Sequence, residues 1–145
     1  MAIQQGATNT FKAGLLLSNY NFASTGGFKM ALYTGAASIG PDTTTYTTDG
    51  EVVADGYTAG GQTLDVVQTP TTGGQTGNAT VYLSFANVTW NAAITARGAL
   101  IYQPGFGDQN LSICVLDFGG DKTSTTTFTV QFPAVTSTAA IIRIS

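Results

Sequence analysis

Four acidic residues fall close together in one stretch of the chain, at Asp42, Asp49, Glu51 and Asp55. Carboxylates grouped in this way could bind a divalent cation, or a pair of them could act as the acid and base that cleave a glycosidic bond. Their spacing does not match the calcium-binding loop of an EF-hand. We therefore expect a solvated acidic loop, with a metal site or a depolymerase cleft as the alternatives.

The remaining reactive groups are too few to complete a catalytic constellation. The chain has no His and one Cys, and charged residues make up 9% of its 145 residues. Cys114 lies in the apolar run Leu111–Phe118, and a catalytic thiol needs a basic partner such as His. We interpret Cys114 as a small buried apolar residue and predict that the protein is not an enzyme and needs no cofactor or metal.

The charge pattern is weakly acidic, and its cations are scattered. The formal net charge is −3, and the five cations are Lys12, Lys29, Arg97, Lys122 and Arg143. Nucleic-acid binding depends on clustered Lys and Arg that neutralise phosphates. The longest leucine cluster, Leu15–Leu17, is far too short to span a membrane. We expect neither a nucleic-acid nor a membrane partner.

Two of these cations, Arg97 and Arg143, lie inside apolar strand patterns, on the face opposite the expected core residues. One interpretation is a solvated outer face. The other is an interface arginine paired with an acid such as Asp117 or Asp121, on its own chain or on a neighbour, since arginine is enriched at protein–protein interfaces.

One segment near the start of the chain has the periodicity of a helix. Between Thr8 and Asn19, Phe11, Leu15 and Leu16 fall on one helical face, and Thr8 or Thr10 could cap the first turn. The length of the chain suits a single domain, residues 1–145. Residues 1–19 could form an N-terminal arm of that domain.

From Phe28 onward the pattern is one of strands separated by Gly-rich and Thr-rich turns. Alternating apolar and polar residues mark half-buried strands, and the nearly continuous apolar run Leu111–Phe118 predicts a strand covered on both faces. Loops or turns are predicted at residues 70–78, 104–110 and 119–122. About eight strands result, which favours an all-β fold, an antiparallel β-sandwich or jelly roll with a short N-terminal helix.

Several segments, in this order, resemble a known family: FKMALYT at 28–34, GYTAGG at 56–61, VTW at 88–90, ARGALIY at 96–102 and VLDFG at 115–119. The family is that of small virion structural proteins of tailed bacteriophages, of the capsid decoration or cement type. The likeness covers nearly the whole chain. It implies a β-sandwich on the outer capsid surface of the virion, bound to the major capsid protein and assembled as a homodimer or homotrimer. It brings no catalytic residues.

The sequence thus leads to a capsid decoration protein as the first hypothesis. Its candidate contact residues are Phe11, Lys12, Arg97 and Arg143, together with the loop Ile39–Gly56. The alternative is a tail or fibre module that binds a host-surface glycan. For that alternative the stacking residues would be three tyrosines, Tyr46, Tyr57 and Tyr102.

Overall fold

Strands dominate the fold, as the alternating and apolar runs predict. The computed structural model describes residues 2–23, 27–107 and 109–145. In chain order the elements of these residues are β1 (Gly6–Ala7), α1 (Asn9–Leu16), β2 (Phe28–Tyr33), β3 (Gln62–Leu64), β4 (Val66–Gln75), β5 (Asn78–Phe85), β6 (Val88–Trp90), β7 (Thr95–Phe106), β8 (Gln109–Thr123), β9 (Phe128–Val130) and β10 (Ile142–Ile144). The predicted all-β class with a short N-terminal helix is confirmed.

The strands form one large sheet and two small ones. The large sheet has the order β1-β8-β7-β2-β3, a second has the order β10-β5-β4, and β6 pairs with β9. Neighbouring strands within each sheet run antiparallel. The main apolar core includes Phe28 from the large sheet, Phe85 from the second and Trp90 from the third. Residues from all three sheets therefore meet in one core, as in a β-sandwich.

The large sheet is covered on both faces. Along β2, Phe28, Met30 and Leu32 belong to the main core, while Ala31 and Tyr33 belong to a second core on the opposite face. Side chains of the loop after β2 cover that second face. Because both faces are buried, the strands read as continuous apolar runs. The prediction for residues 111–118 is confirmed in β8, where Ile113 lies in the main core and Val115 in the second.

The helix is shorter than predicted and turns a different face inward. Thr8 is the N-cap, and its hydroxyl accepts a hydrogen bond from the Phe11 amide at 3.1 Å, which confirms one of the two predicted caps. Phe11 and Gly14 are buried, but Leu16 is 90% exposed. Placing Leu16 beside Phe11 was wrong because five residues at 3.6 per turn carry it about 140° around the helix. Within the described residues, no helix is long and apolar enough to cross a membrane.

Residues 2–19, most of the segment predicted as a possible arm, pack against the large sheet. β1 pairs with β8 at Gly6↔Val115 and Ala7↔Cys114. The Thr8 amide donates to the Ile113 carbonyl at 2.9 Å. Met1 lies outside the described residues.

Residues 70–78, predicted as a loop, mostly belong to a strand. β4 continues through Gln75, and its pairing with β5 is irregular between Gln68 and Thr71. Pro70 lies in that irregularity, where a strand can accept a residue that has no amide hydrogen. The turn is confined to Thr76 and Gly77.

Residues 104–110 and 119–122 were also predicted as a loop and a turn, but most of them belong to strands. β7 runs to Phe106 and β8 from Gln109 to Thr123, and Asp108 lies outside the described residues. Gly119, with φ of 76°, lies where the register between β7 and β8 shifts. The glycines therefore form a bulge inside β8 rather than a turn that ends it.

Candidate functional site

An apolar groove of about 660 Å³ lies between α1, β10 and the β1–β8 edge of the large sheet. Residues 5–7, 114–116 and 141–144 line it, together with Phe11, Lys12, Leu15 and Leu16 of the helix. Its volume is in the range of ordinary ligand pockets. Three of the four predicted contact residues, Phe11, Lys12 and Arg143, are therefore brought together in one place.

Phe11 belongs to the floor of this groove. It is 3% exposed, and its ring lies edge-on to Tyr20, with 5.1 Å between the ring centroids. Edge-to-face pairs of this kind hold aromatic rings in a defined orientation. Phe11 thus fixes the helix on the core and offers only a small surface to a partner.

Lys12 and Arg143 contribute positive charge to the groove. Lys12 Nζ lies 3.5 Å from Asn9 Oδ1, and Arg143 Nη1 donates to the Thr138 carbonyl at 2.6 Å. Both side chains are exposed. No carboxylate lies among the described residues that line the groove. The groove combines apolar walls with two exposed cations, and the nearby carboxylates of Asp42 and Asp117 lie outside its lining.

The fourth predicted residue, Arg97, is bound within the chain. Its Nε lies 3.2 Å from Asp117 Oδ1, so the predicted pairing with Asp117 is confirmed as an intrachain one. The Gly119 amide donates to the same oxygen at 2.9 Å. That amide and the guanidinium hold the pKa of Asp117 below its usual value. A contact of Arg97 with another protein stays a prediction.

The Arg97–Asp117 pair lies beside the groove rather than in it. The Asp117 amide donates to Gln5 Oε1 at 3.2 Å, and Gln5 lines the groove. Both members of the pair are partly exposed. The ion pair therefore orders the middle of β8 next to the groove.

The most exposed apolar side chains at this site were not predicted. Leu16 is 90% exposed, Leu17 is 70% exposed and Ile144 is 52% exposed. A run of three leucines at the end of an eight-residue helix cannot turn every side chain to one face. That spacing was the available signal. These side chains extend the apolar surface of the groove outward.

Cys114 is buried in the wall of the groove, as predicted. Burial raises the pKa of its thiol to about 12. The thiolate is the nucleophilic form of cysteine. At neutral pH this residue therefore acts as a small apolar side chain.

The acidic loop is not fully solvated, because Glu51 is buried at 7% exposure. Its carboxylate accepts hydrogen bonds from the hydroxyls of Tyr46 at 2.6 Å and Tyr57 at 2.8 Å, and from the Gly60 amide at 2.7 Å. Asp42, Asp49 and Asp55 are exposed, so the expectation of a solvated loop is wrong for Glu51 alone of the four acids. Among the described residues, no group of three or more Cys, Asp or Glu side chains is placed to hold a metal ion.

The tyrosines around Glu51 are directed into the protein. Tyr102 is buried, donates to the Gly60 carbonyl at 2.6 Å and stacks on Tyr46 with ring centroids 4.9 Å apart. Burial raises the pKa of Tyr102 to about 12, and it also raises the pKa values of Tyr46 and Tyr57. The three rings that supported glycan stacking are therefore used to fix the loop on the sheet. Glycan binding itself stays a prediction.

No known protein family, curated protein or solved structure matches this chain. The resemblance to phage virion proteins stays a prediction from the sequence. The described residues form an apolar groove with exposed leucine side chains and two cations at its lining.

Proposed function

We propose that the protein is a decoration protein of a tailed bacteriophage. It binds the major capsid protein on the outer surface of the capsid and stabilises the shell by non-covalent contacts. The observation that carries the proposal is the groove, where Lys12 and Arg143 lie next to exposed leucines. A β-sandwich with such a surface suits a protein that works by contact.

The exposed apolar side chains supply the free energy of attachment. Full burial of a leucine side chain contributes roughly 1.5–3 kcal/mol, and both Leu16 and Leu17 are largely exposed in the isolated chain. If the protein is a homodimer or homotrimer, each oligomer presents the groove more than once. Repeated weak contacts on a repeating shell then add through effective concentration.

The composition supports a permanent structural role. His is the side chain whose ordinary pKa lies between pH 5 and 8, and the chain contains none. Contacts made by leucines and by Lys or Arg keep their character through that range. An attachment of this kind is insensitive to moderate changes of pH.

The location of the protein in purified phage particles tests the proposal. Mass spectrometry should detect the protein in the particles, and cryo-electron microscopy should place it in regular positions on the outer capsid. Density confined to the tail would contradict the proposal.

Particles that lack the protein provide a functional test. We expect them to release DNA at a lower temperature than complete particles, and purified protein should restore the release temperature. The variant Leu16→Asp should fail to restore it, because a charge replaces an apolar contact. Val67→Asp is the matched control, since Val67 is 57% exposed and lies outside both the groove and the loop Ile39–Gly56. If both variants restored the release temperature equally, the groove would not be part of the contact with the capsid.

A further inference from the structure

The strand β10 at the side of the groove is an edge strand. It pairs with β5 through Ile142↔Leu83, Arg143↔Tyr82 and Ile144↔Val81, and it ends the order β10-β5-β4. In the described part of the chain, its other edge has no backbone partner. An unpaired strand edge is a template for the addition of another strand.

Strand residues make up more than half of the lining of the groove. They come from β1, β8 and β10, and the helix α1 supplies four more lining residues. Three residues of β10 present an edge of roughly 10 Å. A strand added there would hydrogen-bond through its backbone and place alternate side chains on the apolar floor.

The charge of the groove selects the chemistry of that segment. Lys12 and Arg143 line it, and no carboxylate does among the described lining residues. The chain as a whole has a net charge of −3 with only five cations. Two of these five therefore face a groove on an otherwise acidic molecule, which favours an acidic partner segment.

A second copy of this chain is disfavoured as the occupant. In a two-fold dimer the same patch lies on both sides of the interface. The interface would then hold four cations, Lys12 and Arg143 of each copy, and no carboxylate from the described lining residues. Like charges brought together in an interface repel one another.

We propose that the groove binds an extended acidic segment of a partner protein, which adds a strand to β10. Alternate apolar side chains of the segment pack against Leu16 and Ile142. Its Asp or Glu side chains pair with Lys12 and Arg143. The identity of the partner, the major capsid protein, rests on the proposed function. The chemistry of the bound segment does not depend on it.

Selection from a peptide library tests the chemistry without a capsid. A random decapeptide library displayed on yeast is sorted against the purified protein. We expect enriched peptides in which apolar residues alternate and at least one Asp or Glu is present. The absence of enriched peptides, or enriched peptides without acidic residues, would overturn the proposal.

An enriched peptide, made synthetically, then tests the position of the site. Arg143→Glu and Lys12→Glu should each weaken its binding by about tenfold or more, since each replaces an attraction by a repulsion. Lys122→Glu makes the same charge change outside the groove and should leave the affinity unchanged. Equal losses in all three variants would overturn the site. Unchanged thermal melting of each variant shows that folding is retained.

Methylation of the peptide backbone tests the added strand. In an antiparallel pair only alternate residues of a strand bond to a given neighbour. Peptides N-methylated on one set of alternate amides should lose binding, and those methylated on the other set should keep it. Equal tolerance of both sets would overturn strand addition.

The two proposals fail in different ways. If peptides bind in the groove but the protein is found away from the capsid, the proposed capsid role is wrong and the peptide site stands. If the protein decorates the capsid, Arg143→Glu does not weaken that attachment and no peptide binds, the proposed peptide site is wrong and the capsid role stands. A dimer that an enriched peptide dissociates would identify a second copy as the occupant and would also overturn the inference.

Discussion

Glu51 is a buried acid whose carboxylate is held by hydrogen bonds. Among the described residues, no cation forms an ion pair with it. Three donors, two phenols and one backbone amide, converge on its carboxylate. Hydrogen bonds to an ionised group are worth more than those between neutral groups. The backbone of Glu51 also pairs with that of Tyr33 of β2 as an isolated antiparallel bridge, so the backbone of this residue joins the long loop to that strand.

We expect Glu51→Ala to lower the free energy of unfolding by roughly 2–4 kcal/mol, because one buried and two partly buried donors lose their acceptor. Urea denaturation measures the difference. Asp49→Ala is the matched control, since Asp49 is exposed, and it should change stability by less than about 0.5 kcal/mol. Similar losses in both variants would show that the network does not stabilise the fold.

The Arg97–Asp117 pair gives a second prediction for a single residue. Arg97→Gln should raise the pKa of Asp117 only in part, because the Gly119 amide is the larger cause of the lowered value and stays in place. Carbon-detected NMR titration of the Asp117 carboxyl measures it. Arg143→Gln is the control, since Arg143 bonds to the Thr138 carbonyl and does not contribute to the pKa of that carboxyl.

The sign of the stability effect follows from the lowered pKa of Asp117. A carboxyl whose pKa is lower in the folded than in the unfolded state stabilises the fold at pH values above its unfolded pKa. That stabilisation is lost as the pH falls through the folded pKa. Arg97→Gln should therefore reduce the stability lost between neutral pH and about pH 3. A larger loss in the variant would contradict this assignment.

At the scale of elements, one threonine joins the helix to the large sheet. The Thr8 hydroxyl accepts from the Phe11 amide and lies 3.0 Å from the Ser112 hydroxyl, and Thr8 is fully buried. The cap therefore does two things: it satisfies the first turn of α1 and attaches that turn to β8.

We expect Thr8→Ala to cost about 1–2 kcal/mol, because it removes the cap and leaves the Phe11 amide without its acceptor. Thr8→Ser keeps the hydroxyl and should retain most of that stability. Thermal and urea unfolding provide the measurement. Equal destabilisation by Ser and Ala would assign the effect to the lost methyl group instead of the cap.

Gly61 is fixed by close approach as well as by backbone conformation. Its φ is +74°, and a Cβ there would lie 1.7 Å from the Met30 carbonyl oxygen. Gly77 has a similar φ of +84° with open space around it. We expect Gly61→Ala to prevent stable folding and Gly77→Ala to cost only about 1–2 kcal/mol of backbone strain. Comparable unfolding midpoints for the two would contradict the steric argument.

Some elements could be predicted from the sequence because one physical pattern determines them. β2 and β8 are apolar without alternation since both of their faces are buried. The continuation of β8 through Gly119 could not be predicted, because a glycine pair serves a bulge as well as a turn. Leu16 was misplaced because Leu15–Leu17 offers a helix more apolar residues than its inner face can take.

At the scale of the whole molecule, the groove joins parts of the chain that are far apart in sequence. Lys12 and Arg143 each appear in the sequence as isolated cations, and only the packing of α1 beside β10 brings them together. The burial of Glu51 has the same origin, because it depends on tyrosines from the loop being held over β2. Local patterns do not record such contacts.

The buried tyrosines predict how stability depends on alkaline pH. Burial raises the pKa of Tyr102 and of Tyr20 to about 12, above the ordinary value of about 10. A group whose pKa is raised on folding contributes its full stabilisation at pH values below its unfolded pKa. That stabilisation is lost as the pH rises through the folded pKa. Because burial also raises the pKa of Cys114 above its ordinary value of about 8.5, we expect constant stability from pH 7 to about 8, a first decline near pH 9 and a steeper one above about pH 10.

Urea denaturation across this range tests the decline. In parallel, absorbance at 295 nm should show these phenols ionising together with unfolding. Independent ionisation near pH 10, with the fold intact, would contradict the prediction.

The pairing of β1 with β8 has a consequence for how the chain is made. Thr8 reaches a carbonyl 104 residues later in the sequence, a span that a ribosome takes roughly 5–20 s to synthesise. Until β8 emerges, the large sheet lacks the strand that lies between β1 and β7. Residues of β1 thus find their place only after β8 has been made, and the groove forms only after β10 has been made as well.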